Sequence, residues 1–301
     1  MNISRPFSVI AFGLGALAVG PGSLSALDIF GGVTTGNQRF SDTFPTLPTI
    51  NGSFAFSSLD FSGVGWQTTN SQLGVTMISP QDFATAAHVA PADGSSVTFL
   101  SSAGILRSYT VNSTFNIEHT AGVNTDIVIG RLSAPIPASD QVAFYPTLVL
   151  NSFNAYNNLP LVVYGQTGVV GTNNVDGFLL NFDLLPFGNG NGTADSILLE
   201  TQFDSVTGES QARSGDSGSP TFIVASGQLV IVGVHSAING SPPPDLTLDS
   251  FLPGYYSGIN ARLNLDGFTF GALTAVPEPG TTVLLAGLAA LAAGFWRRFS
   301  I

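Results

Sequence analysis

Short apolar runs, each a few residues long and separated by glycine, asparagine or proline, fill this chain from about residue 60 to residue 260. No part of that span repeats apolar residues with the period of an amphipathic helix, so an all-β domain is the expectation. Strands are predicted over 73–78, 83–88, 96–100, 108–115, 126–132, 160–165 and 196–202, and a hairpin joins 220–225 to 229–235 across Ser226-Gly227-Gln228. Pro135, Pro137 and Pro146 interrupt the pattern and mark a connection between two halves. There is no internal repeat. Cysteine is absent, which excludes disulfides and thiolate metal sites. The net charge of −11 and the lack of any lysine argue against nucleic acid as a partner.

Both ends read as addresses. One arginine, an apolar run to about Gly20 and the small residues of Ser23-Leu24-Ser25-Ala26 make a secretory signal peptide over 1–26, cut after about Ser25 or Ala26. A buried N-terminal helix is the weaker reading, because Gly13, Gly15, Gly20 and Gly22 would each weaken it. At the other end, Val276-Pro277-Glu278-Pro279-Gly280 precedes an apolar run over 281–296 and then Arg297-Arg298. That run would make about 24 Å of helix, a transmembrane helix a little short of a bilayer core, with the arginine pair on the cytoplasmic side. Residues 276–301 resemble the PEP-CTERM sorting signal of Gram-negative bacteria. A plain anchor would explain the helix and arginines but not the Pro-Glu-Pro. The resemblance implies transient anchoring in the inner membrane, cutting by an exosortase-type enzyme, and a destination in the cell envelope or extracellular matrix.

Between the ends, three histidines narrow the search for chemistry. A serine hydroxyl needs an imidazole to accept its proton and a carboxylate to hold that imidazole in the right tautomer. His88 closes Phe83-Ala84-Thr85-Ala86-Ala87-His88, Asp126 opens Asp126-Ile127-Val128-Ile129, and Ser217 lies in Gly215-Asp216-Ser217-Gly218-Ser219-Pro220. Taken singly, Asp126 could cap a strand and the glycine-rich segment could be a turn. Together, in the order His, Asp, Ser, they resemble the chymotrypsin-like serine proteases. The resemblance implies two six-stranded antiparallel β-barrels within 27–268, at about 29–134 and 155–268, followed by a linker at 269–275. It also implies a His88, Asp126, Ser217 triad, an oxyanion hole from the N–H groups of Gly215 and Ser217, and protein or peptide substrates with no cofactor.

Further roles come with the same resemblance. Asp216 is expected to form an ion pair with a mature N-terminal amine. Ile29-Phe30-Gly31-Gly32 resembles the start of activated enzymes, so a cut after Asp28 is one route; an internal partner such as Arg213 or Arg39 is the other. Gln211, six residues before Ser217, stands where the specificity pocket is floored, which speaks against a preference for basic residues. Ser236 resembles the serine of the pocket-lining strand, and Tyr255-Tyr256-Ser257-Gly258-Ile259 resembles the strand that closes the pocket. His235 and Gly218-Ser219-Pro220 resemble glutamate-specific bacterial endopeptidases, in which such a histidine, helped by hydroxyls such as Ser214 and Ser236, meets a substrate carboxylate. A strand histidine satisfied by backbone is the competing reading. Residues 33–70 exceed the family's usual spacing and carry no recognisable motif. A surface or matrix protein that keeps the scaffold only for binding is the alternative to an enzyme; the presence of all three triad residues favours the enzyme. No cluster of His, Asp and Glu has metal-ligand spacing.

Overall fold

Gly65 and Gly130 leave room that aromatic rings fill. A Cβ at Gly65 would meet the Phe99 ring at 2.5 Å, and one at Gly130 the Phe83 ring at 2.0 Å. Both rings are fully buried, and with Val75, Met77, Val97, Val111 and Leu132 they make the centre of a closed barrel. The structure is a computed structural model that describes residues 27–41, 44–184, 195–239 and 246–275. The signal peptide over 1–26 and the transmembrane helix expected within 276–301 lie outside the described residues. Among the described residues no helix is long and apolar enough to cross a membrane.

A short strand, β1 (Asp28–Ile29), precedes the barrel. The barrel itself comprises β2 (Val64–Gln67), β3 (Asn70–Met77), β4 (Asp82–Ala86), β5 (Ser96–Leu100), β6 (Leu106–Thr120) and β7 (Val123–Leu132), closed in the order β2-β3-β4-β7-β6-β5. Every residue of β4 is buried, because β3 and β7 pair on its two edges and the barrel centre and the second half cover its faces.

The second half holds β8 (Thr147–Leu148), β9 (Pro160–Tyr164), β10 (Val170–Asn174), β11 (Gly177–Asp183), β12 (Asp195–Gln202), β13 (Ser210–Gln211), β14 (Pro220–Ala225), β15 (Gln228–Asn239) and β16 (Leu246–Phe251). A helix, α1 (Tyr256–Asn264), and β17 (Ala272–Leu273) follow. The main path is β10-β9-β14-β15-β16-β12-β11, with β8 and β17 attached in parallel to β15 and β8.

Three expectations need correction. Of the two six-stranded barrels expected, one closes; the second half is a sheet that stays open in its pairing among the described residues. On β10, at one end of that path, the Asn173 amide donates to the carbonyls of Gln202 and Ser210 at 3.0 and 2.9 Å. Residues 255–259, expected as a strand, run from the end of the 3-10 turn Leu252–Tyr255 into α1, which buries Ile259 and Leu263 against the core. The expected linker contributes β17, paired with β8. Within the long N-terminal insertion, residues from Arg39 to Ser62 combine with Ser101 and Ser102 to wall a cavity of about 290 Å³.

Candidate active site

His88 sits in the 3-10 turn Ala87–Val89 at the end of β4, Asp126 on the adjacent β7, and Ser217 in the loop between β13 and β14. The three side chains form one hydrogen-bonded line. His88 Nδ1 donates to Asp126 Oδ2 at 2.8 Å, and Ser217 Oγ lies 3.0 Å from His88 Nε2. The backbone N–H of His88 donates to Asp126 Oδ1 at 2.9 Å, so one carboxylate holds the ring and its main chain together. With its proton on Nδ1, the ring turns the Nε2 lone pair toward the serine hydroxyl, as a general base requires. Burial alone would lower the His88 pKa, but the hydrogen bond and charge of Asp126 outweigh it and leave the pKa above the ordinary 6.5.

The loop that carries Ser217 uses its N–H groups selectively. Those of Asp216, Gly218 and Ser219 donate to Arg213, His235 and Asp216 carbonyls at 3.0, 2.9 and 3.0 Å. Among the described residues, those of Gly215 and Ser217, the two N–H groups expected to form an oxyanion hole, have no such acceptor. Gly215 has φ +102°, a conformation that favours glycine, and a Cβ there would press on the Gln166 side chain at 2.9 Å. Gly218 is as constrained: a Cβ would meet Thr85 Oγ1 at 2.3 Å.

Asp216 is fully buried, and its carboxylate accepts the backbone N–H groups of Gln166 at 2.7 Å and Arg213 at 2.6 Å. Burial raises its pKa; the His235 charge and the N–H groups of Arg213, Gln166 and Leu27 offset that in part. Leu27, not Ile29, is therefore the N-terminal residue that reaches Asp216. Ile29 is occupied in β1, opposite Ser210 of β13, and its neighbour Asp28 forms an ion pair with the Arg213 guanidinium. Arg39 serves elsewhere, donating to the Val64 and Leu100 carbonyls and the Tyr164 hydroxyl.

The four residues expected in a specificity pocket have separate surroundings. Gln211 is buried on β13, and among the described residues its Oε1 has no hydrogen-bond partner. Ser214 is exposed, with its carbonyl 3.4 Å from the Gln166 amide. Ser236 turns inward and donates to Asp126 Oδ2, adding a further donor to the triad carboxylate. His235 is buried, with Nδ1 2.6 Å from Asp249 Oδ1 and Nε2 3.0 Å from the Tyr164 carbonyl. Both nitrogens are thus engaged inside the protein, and neither is left for a substrate carboxylate. The strand-histidine reading fits this position. His119, the third histidine, contacts the Tyr255 hydroxyl at 2.8 Å and Asn181 Oδ1 at 2.7 Å, outside the triad.

Sequence reasoning missed Ser196, whose Oγ accepts the Asp126 N–H at 3.0 Å, and Gln166, which braces the loop that carries Ser217. Neither stands in a telling pattern. Asp249 was also missed, although a lone acid inside the buried run Leu246–Phe251 signals a buried partner. Among the described residues, no group of His, Asp and Glu could hold a metal ion.

The tail, over residues 275–298, matches the PEP-CTERM protein-sorting motif. The protein carries an export address. That motif implies exosortase processing and marks an exported protein sorted to the cell surface. No curated protein matches the chain. Among solved structures, an atomic-resolution structure of HBP matches with a TM-score of 0.48 and 15% identity, covering 68% of this chain and 92% of that one. A mutant of human heparin binding protein (CAP37) matches with the same TM-score and identity, covering 73% of this chain and 94% of that one. These likenesses are too distant to carry an activity to this chain.

Proposed function

We propose that this protein is an exported, chymotrypsin-like serine endopeptidase. The observation that carries the reading is the line from Asp126 Oδ2 through the His88 ring to Ser217 Oγ, with contacts of 2.8 and 3.0 Å. In the reaction, Ser217 Oγ attacks a peptide carbonyl carbon while His88 Nε2 takes the hydroxyl proton. The oxyanion of the tetrahedral intermediate faces the N–H groups of Gly215 and Ser217. Collapse breaks the C–N bond, His88 returns the proton to the leaving amine, and water then hydrolyses the acyl-enzyme by the same base. Each oxyanion donor is worth about 3 kcal/mol at the transition state.

Two refinements belong to this reading. A preference for glutamate is not carried forward, since His235 is committed to Asp249 and Tyr164. Removal of the leader after Ala26 would free an amine at Leu27, whose N–H already belongs to the Asp216 set. No separate zymogen cut is then needed. Mass analysis of active protein is expected to find Leu27 first; an active protein starting at Ile29 contradicts this. The activity itself is tested with matched peptides carrying Glu, Phe or Arg at the scissile position. Cleavage that disappears in Ser217→Ala supports the reading, and no Ser217-dependent cleavage of any peptide or of a denatured protein overturns it.

A further inference from the structure

We propose that His235 is a buried imidazolium whose charge positions the nucleophile loop, a role that rests on the hydrolase reading of Ser217. Its ring nitrogens face an oxygen of the Asp249 side chain at 2.6 Å and the Tyr164 carbonyl at 3.0 Å, and the Thr221 hydroxyl donates to the other Asp249 oxygen, which marks that group as an acceptor. A neutral imidazole has one N–H and would set a lone pair against a lone pair at the other contact. The side chain is 3% exposed, so water cannot fill the deficit. Only the doubly protonated ring satisfies both oxygens.

The surroundings call for a cation as well. Asp249 faces the ring from β16, the Asp216 charge in the Ser217 loop acts on it as well, and both side chains are almost wholly buried. From β14 comes the Thr221 hydroxyl, which donates to Asp249 Oδ2 at 2.5 Å; from β9 comes only the Tyr164 carbonyl. Without the imidazolium the two buried carboxylates would be left with neutral donors alone, the Thr221 hydroxyl for Asp249 and backbone N–H groups for Asp216. Burial alone would lower the His235 pKa, but Asp249, then Asp216 and the Tyr164 carbonyl, outweigh it and leave the pKa above the ordinary 6.5.

The route to the reaction is short. The His235 N–H donates to the Ser219 carbonyl, and the Gly218 N–H donates to the His235 carbonyl, each at 2.9 Å. Asp216 accepts the N–H groups of Gln166 and Arg213 on its two side-chain oxygens, and the His235 charge works against the burial that raises its pKa. Loss of the ring proton therefore loosens the loop that carries Ser217 and its two oxyanion donors. His235 acts as a positioning residue and touches no substrate.

The test uses the processed protein labelled with ¹⁵N-histidine, read by NMR at pH 8, beside the pH profile of kcat/KM on a cleaved peptide. Protons on both His235 nitrogens at pH 8 are expected, where free histidine is mostly neutral. Asp249→Asn, nearly isosteric, should move the alkaline limb of the profile to lower pH while the acid limb set by His88 stays. His235→Gln should lower kcat by about 10²-fold with KM little changed, the scale of an ångström of misplacement, and should abolish that alkaline limb. A neutral His235 ring at pH 8, or an alkaline limb unmoved by both substitutions, overturns the proposal. NMR reads the ring whether or not the protein hydrolyses anything. A doubly protonated His235 in a protein without Ser217-dependent cleavage would therefore sink the hydrolase reading and the positioning role, while leaving the charge assignment standing.

Discussion

The molecule contains two histidine–aspartate pairs, His88–Asp126 and His235–Asp249, built alike and set in opposite surroundings. Each ring donates Nδ1–H to a buried carboxylate, at 2.8 Å in one pair and 2.6 Å in the other. What differs is the atom at Nε2. His88 meets the hydroxyl of Ser217, which has a proton to give; His235 meets a carbonyl, which has none. Exposure follows the same division, 17% for the His88 side chain and 3% for that of His235. A carboxylate beside an imidazole does not by itself make a catalytic base. The third partner decides: a proton donor calls for a neutral ring that can act, and a pure acceptor calls for a charged ring that stays charged.

The comparison breaks most visibly at the third partner of the first pair. On the proposed mechanism, in which Ser217 and His88 act as a unit, Ser217→Ala should lower kcat by about 10⁶-fold with the fold intact; a residual rate within tenfold of wild type would mean that Ser217 is not the nucleophile. Next comes the carboxylate. Asp126→Asn should cost about 10⁴-fold in kcat by favouring the wrong tautomer of His88, whereas the corresponding Asp249→Asn should shift the pH profile far more than the optimum rate. Equal losses from the two substitutions would erase the distinction between the pairs.

Stability provides a gentler probe. The folded His235 has a raised pKa, so its contribution is fully present below the unfolded value near 6.5 and is lost as pH rises through the folded value. Tm should therefore decline on the alkaline side, and His235→Gln should flatten that decline; a decline of the same slope in the variant would assign it to other groups. The smallest effect expected is that of Thr221→Val, which removes the hydroxyl from Asp249 Oδ2 and should cost about 1–2 kcal/mol in urea unfolding, with little change in kcat.

Much of this was legible in the sequence, and the gaps have physical causes. The spacing of short apolar runs announced the β architecture, and the order of His88, Asp126 and Ser217 announced the line that the structure assembles. Periodicity could not tell whether the second half closes, because closure depends on which strand edges pair and not on which residues are apolar. Residues 255–259 are expected as a strand from their resemblance to the family's pocket-closing strand, yet burying Ile259 and Leu263 on one face makes a helix. The His235 position misled for a deeper reason. A sequence shows that a histidine is near a functional motif, but not whether its two nitrogens face a cleft or the protein's own oxygens.

The account depends most on Ser217 being an activated nucleophile, and a fluorophosphonate probe on processed protein tests that directly. Labelling should be strong at pH 8, absent in Ser217→Ala, and should fade as pH falls through the raised pKa of His88. Correctly processed protein that shows no Ser217-dependent labelling at any pH would contradict the account.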